Sequence, residues 1–131
     1  MKQITLIIVK RTLLLYITLF CLNISFSQSL NYLVIDENDK AKLLGKINKE
    51  GLKIAPFNEW FNKNHDDYIV NQDLIETFKD SLNRYSIKIF LGTWCGDSKR
   101  EVPRFYKVLE KAKFSESQLE VFALDRTEEA Y

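Results

Sequence analysis

The residues best suited to covalent chemistry stand together at positions 92–98, Gly-Thr-Trp-Cys-Gly-Asp-Ser. Cys95 is the candidate nucleophile. A thiolate attacks where a thiol does not, and an ordinary thiol, with a pKa of about 8.5, is mostly protonated at neutral pH. The setting of Cys95 favours the anion. An apolar, β-branched run (87–91) gives way here to an amphipathic helix, so unpaired N–H groups and the helix dipole face the sulfur. Ser98, three residues on, is within reach from the first turn and has a hydroxyl proton to donate. Lys99 and Arg100 add positive charge and Asp97 opposes it, so the expected shift is downward. The competing reading is a buried, inert cysteine. The Gly, Asp, Ser, Lys and Arg around Cys95 weigh against deep burial.

The elements that must position this thiol follow from periodicity. Residues 87–91 form the best strand in the chain, and the near-continuous apolar run predicts cover on both faces, as in the centre of a parallel sheet. The helix after it carries Val102, Phe105, Tyr106 and Leu109 on one face and charges on the other. Pro103 inside it should produce a kink. Upstream, Asn71 reads as an N-cap and Asp73 as a first-turn acid, opening an amphipathic helix over 72–84. Residues 119–124 form another strand, and the acidic stretch after Arg126 begins one more helix. Helix, strand, helix, strand with a right-handed crossover makes the two strands parallel. Cys95 then lies at the carboxyl end of the first, where open α/β sheets place their chemistry.

The segment before residue 71 is less decided. Residues 31–36 read as a strand closed by the turn cluster 37–40. Its partner over 43–47 competes with a helix over 42–50, because Leu43, Leu44 and Ile47 also share a helical face. Gly51 ends this segment in either reading. Pro56 suits the first position of a short helix, with Phe57, Trp60 and Phe61 on one face. That aromatic cluster reads as core packing ahead of ligand binding. His65, the sole histidine, reads as a solvated loop residue with no second His or Cys at ligand spacing, so no metal site is expected.

Composition and the N-terminus set the compartment. Residues 1–27 have the three parts of a secretory signal: Lys2, Lys10 and Arg11, an apolar stretch over 12–24, and a small-x-small site at 25–27, with cleavage before Gln28. The apolar run alone is shorter than the roughly 20 residues that span a bilayer. A membrane association therefore requires an uncleaved signal, or acylation at Cys21, for which the bulky Phe20 is a poor neighbour. Without the leader's three cations, the chain's 19 basic residues become 16 against 18 acids, a formal charge of −2. No basic tract remains, which argues against nucleic acid as a partner. With Cys21 in the leader, the exported protein keeps a single cysteine, and an unpaired cysteine in an exported protein points to a reactive thiol or to intermolecular pairing.

Trp94-Cys95-Gly96 at the end of an apolar strand, opening a helix with Pro103 eight residues after the cysteine, resembles the thioredoxin superfamily, and within it the exported thioredoxin-like proteins of bacteria. The resemblance covers about residues 72–126. It implies a central mixed sheet flanked by helices, thiol–disulfide exchange without a cofactor, and protein thiols or disulfides as partners. Trp94, Cys95, Gly96 and Ser98 are the site positions it marks. The chain departs from the pattern in four ways. Ser98 replaces the second cysteine, so Cys95 can attack a disulfide but cannot resolve the mixed disulfide intramolecularly. Asp97 stands where thioredoxin itself has proline. Ile89 replaces the family's buried acid. Pro56 and Pro103 are the only prolines, and neither lies where the family carries its cis-proline loop, so a chain truncated before that strand, or a fragment of a longer one, is expected.

The expected architecture is thus α/β: a leader (1–27), an N-terminal extension (28–70) and an incomplete thioredoxin-like domain (71–131). The expected function is an exported, periplasmic or extracellular monothiol protein acting through mixed disulfides at Cys95, with an external thiol completing the cycle. The alternatives are a non-catalytic binding module of the same fold and an inactive fragment. Cys95-Gly96-Asp97-Ser98 also resembles the motif of monothiol glutaredoxins, which hold glutathione and iron–sulfur clusters. Trp94, the leader and the missing glutathione-binding half separate the chain from them.

Overall fold

The computed structural model describes residues 29–126; the expected leader and the helix expected after Arg126 lie outside them. The chain opens with a hairpin of β1 (Tyr32–Ile35) and β2 (Ala41–Ile47). Of the two readings left open by the sequence, the strand is therefore the one adopted. The turn explains it. The Asp36 carboxylate accepts the N–H groups of Asn38 (2.8 Å) and Lys40 (2.9 Å), and Asp39 takes a left-handed φ of 56°, which Asp tolerates better than most residues.

A short helix, α1 (Lys49–Leu52), follows with Asn48 as its cap, and the Asn48 side chain accepts from Gly51 N–H (3.1 Å). Gly51 thus sits inside an element it was expected to end. A Cβ there would lie 2.2 Å from the Asn31 side-chain oxygen, so glycine serves a close approach rather than a stop. Next comes α2 (Asn58–Asp67). It starts two residues after Pro56, not on it, and the Ala55–Pro56 peptide is cis. Phe57 and Phe61 are buried and Trp60 is half-buried, with edge-to-face contacts among the three rings. They pack as core, as expected.

α3 (Gln72–Leu82) has the predicted cap, the Asn71 side chain accepting from Leu74 N–H at 3.0 Å. Then come β3 (Ile87–Leu91), α4 (Gly96–Lys111), a 3-10 turn (Glu116–Gln118) and β4 (Leu119–Ala123). α4 runs through Pro103, which is buried. Of its predicted face, Val102, Tyr106 and Leu109 are buried, while Phe105 is exposed.

The four strands form one mixed sheet in the order β1-β2-β4-β3, with β3 parallel to β4 and the other neighbours antiparallel. Among the described residues β3 is therefore an edge strand, not a central one, and its cover is one-sided. Ile87, Ile89 and Leu91 turn to the core, whereas Lys88 and Phe90, the latter 60% exposed, face outward. The apolar run misled because Phe90 lies on the open face, stacked on Phe122 at 5.5 Å. The core joins Leu43 and Ile47 of β2, Val121 and Ala123 of β4 and Leu91 of β3 to Phe57, Phe61 and Tyr106. Residues on both sides of position 70 thus share one core. Among the described residues no helix is long and apolar enough to cross a membrane.

Candidate functional site

β3 ends at Leu91, whose carbonyl accepts from Leu124 N–H (2.8 Å), and α4 begins at Gly96. The turn between them is closed by Cys95 N–H donating to the Gly92 carbonyl (2.9 Å). Thr93 is buried and its hydroxyl accepts Leu43 N–H (3.1 Å), which ties this turn to β2. Cys95 is the N-cap of α4, with extended backbone (φ −84°, ψ 126°), and its carbonyl accepts Lys99 N–H. The predicted placement of the thiol, at a strand's carboxyl end and a helix's N-terminus, is the one found.

Cys95 is half-buried and, among the described residues, forms no disulfide. Its side chain makes no formed cap hydrogen bond as a thiol. Its pKa nonetheless lies below the ordinary value, drawn down by the Ser98 N–H first, then by the Ser98 hydroxyl and the Asp97 N–H; partial burial and the Asp97 charge oppose them. The two observations agree if the donors act on the anion, since a thiolate accepts hydrogen bonds more strongly than a thiol. The Ser98 oxygen accepts Gly92 N–H at 3.3 Å, which leaves its proton for the sulfur. Lys99 and Arg100 do not share in the shift. Arg100 is turned to Asp97 (3.0 Å) and Glu101 (2.5 Å), and the lowering comes from the Ser98 and Asp97 N–H groups and the Ser98 hydroxyl rather than from cations.

Trp94 is held by residues that follow β4. Its indole N–H donates to the Leu124 carbonyl (3.0 Å), and the Arg126 guanidinium lies 4.4 Å above its ring. The ring rests on Gly92, where a Cβ would come within 2.6 Å of the indole. Gly96 has open space around it, so no close approach demands glycine there. Beside these residues lies a cleft of about 940 Å³, walled by the β1–β2 turn, Pro56, Trp60, Trp94, Lys99 and the ion pair of Lys42 with Asp125. Lys42 holds the Asp125 carboxyl below its usual range. Cys95 stands outside the cleft's walls.

Arg126 and the Lys42–Asp125 pair are the contributors that sequence reasoning missed. The parallel pairing of β3 and β4 carried a usable signal: it puts residues 124–126 level with residues 92–94.

His65 differs from expectation. It lies on α2, not in a solvated loop, with its side chain 18% exposed. Its ring stacks on Phe61 (5.9 Å), Nε2 lies 3.0 Å from Glu110 and Nδ1 2.9 Å from Asp66. Among the described residues no group of three or more His, Cys, Asp or Glu side chains is placed to hold a metal ion.

Comparison of the chain with protein-family models, with curated proteins and with solved structures finds no match.

Proposed function

We propose that the chain is an exported thioredoxin-like protein of monothiol type that exchanges with disulfides at Cys95. The observation that carries this reading is the half-buried Cys95 at the N-cap of α4, its pKa lowered by the Ser98 and Asp97 donors. Support comes also from the β3–α4–β4 unit, whose parallel strands place Trp94-Cys95-Gly96 at a strand's carboxyl end.

The chemistry has two steps. The Cys95 thiolate attacks one sulfur of a partner's disulfide; the S–S bond breaks, a mixed disulfide forms, and the other sulfur leaves as thiolate and takes a proton. Because Ser98 has no sulfur, a second, external thiol must then attack the mixed disulfide. If it attacks Cys95, the partner is freed with a thiol and the external thiol is left bonded to Cys95. A further thiol then regenerates the Cys95 thiolate, so two external thiols are oxidised for each partner disulfide reduced.

The test is to mix the reduced chain with a small symmetrical disulfide and follow mass. With Cys21→Ser in the background, one adduct per chain is expected at Cys95, released only when a small thiol is added, and none when Cys95→Ser is added to it. No adduct on the wild-type chain would exclude the reading.

A second reading, a binding module that does not use the thiol, is favoured by the cleft between Trp60 and Trp94. It predicts that Cys95→Ser keeps the wild-type partners in an affinity capture.

A further inference from the structure

The cleft of about 940 Å³ beside the thiol falls in the range of about 300–1,000 Å³ usual for ligand sites. None of the residues of β3 lines it, so a strand added beside β3 would not fill it. Its near lip is made by Trp94 and Lys99. These two flank the thiol: Trp94 precedes Cys95, and Lys99 lies one turn on, its N–H donating to the Cys95 carbonyl (3.0 Å). A chain joined to Cys95 through its sulfur reaches the cleft by crossing that lip. The charges on the walls are segregated. At the lip stand Lys99 and the Arg126 guanidinium, the latter stacked on Trp94. Lys99 is half-buried, and among the described residues neither cation is in an ion pair. A partly desolvated ammonium without a counter-ion is a cost that an acidic ligand removes. Nearby, Asp97 is met by Arg100 and Asp125 by Lys42. The wall formed by the β1–β2 turn has the opposite sign, with Asp36, Glu37 and Asp39 against Lys40 alone.

We propose that this cleft seats the peptide around a partner's disulfide, favouring an acidic residue next to the reacting half-cystine and a basic residue farther along. The proposal rests on exchange at Cys95 and names the class of disulfide that the site serves. In the mixed disulfide the partner's sulfur is bonded to Cys95, so a residue next to that half-cystine lies over the lip. A carboxylate there meets Lys99 and Arg126. A basic residue carried farther into the cleft meets the acids of the β1–β2 turn, and Trp60 and Trp94 give the peptide between them aromatic walls. The order of charge is read rather than its sum, because acids and bases are equal in number around the cleft. Such complementarity acts mainly on the rate of encounter and on which partner is accepted. The bonds made and broken are those of the exchange itself.

Two peptides of equal composition and zero net charge, blocked at both ends, test this: Lys-Ala-Glu-Cys-Glu-Ala-Lys and Glu-Ala-Lys-Cys-Lys-Ala-Glu, each as its symmetrical disulfide. In a Cys21→Ser background, adduct formation at Cys95 is followed by mass. Each rate is divided by that of a small neutral thiol with the same peptide, which removes the peptides' own reactivity. The acid-flanked peptide is expected to react about two- to tenfold faster, the effect of one or two exposed ion pairs. The ratio should shrink at high salt. Lys99→Gln should lower it, and so should Arg126→Gln; taken within each variant, the ratio is blind to a change in the thiol itself. If Arg126→Gln fails to fold, Lys99→Gln decides. Equal rates, a faster base-flanked peptide, or a ratio that survives Lys99→Gln would overturn the proposal and leave exchange at Cys95 standing. A ratio that appears only in Glu128→Gln, Glu129→Gln would overturn it too, because the chain's own acids would then be what the cations hold. No adduct with either peptide would overturn exchange at Cys95, and this proposal with it.

Discussion

A serine hydroxyl stands where a second thiol would complete a dithiol site, and it serves Cys95 in a narrower way. Its oxygen is held by Gly92 N–H and its proton favours the thiolate. The Ser98 N–H, a larger cause, belongs to the backbone and survives substitution. Ser98→Ala is therefore expected to raise the Cys95 pKa only part of the way to the ordinary value and to slow alkylation at pH 7 by about two- to tenfold, the effect of one lost hydrogen bond. Rates measured against an alkylating reagent across pH would show it; an unchanged pKa would contradict a role for the hydroxyl. This much of the site was legible, because a cysteine at a strand-to-helix switch and a serine one turn on are patterns of spacing. The expected help from Lys99 and Arg100 was not, since the choice of Arg100 to pair with Asp97 and Glu101 is made by side-chain rotamers that spacing does not fix.

At the scale of elements, the strand–turn–helix from β3 into α4 depends on a close contact. Trp94 lies on Gly92 and is held by Leu124 and Arg126. Gly92→Ala must push the indole off its carbonyl partner and is expected to cost about 1–3 kcal/mol, the range of an overpacked site. Urea denaturation would measure it; a neutral substitution would mean the ring is free to move. Periodicity revealed β3, α3, α4 and β4 because each has a single strong pattern, and the Asn71 cap was visible for the same reason. The hairpin stayed ambiguous since Leu43, Leu44 and Ile47 fit both periods. Beside the Asp36 turn, what favours the strand lies at a distance: β2 pairs with β4, more than seventy residues on. His65 was read as loop because its neighbours are polar, yet Phe61 and Glu110 hold it on α2.

For the whole molecule, charge pairing across elements sets the response to acid. Glu110 lies below its ordinary pKa although burial pushes it up, because hydrogen bonds from Lys49 and His65 outweigh burial. Glu120 is lowered by Lys46 and Lys88, Asp125 by Lys42, and Asp36 by the Lys40 and Asn38 N–H groups. A carboxylate with a depressed folded pKa contributes stability that is present above its unfolded value and lost as pH falls through the folded one. The free energy of unfolding is thus expected to decline as pH falls below about 4.5, read from urea midpoints at pH 6 and pH 3. Equal midpoints would contradict these pairings. Sheet order was the least legible feature at this scale. The apolar run of 87–91 suggested a central strand, and only the insertion of β2 beside β4 leaves β3 at the edge with Phe90 exposed.

The central claim, a thiol activated by the first turn of α4, is tested most directly by one titration. In Cys21→Ser, the alkylation rate of Cys95 is followed against pH for the folded chain and for the same chain in urea. The account predicts a folded midpoint clearly below the unfolded one, with the difference reduced in Ser98→Ala. A folded midpoint at or above the unfolded one would contradict it.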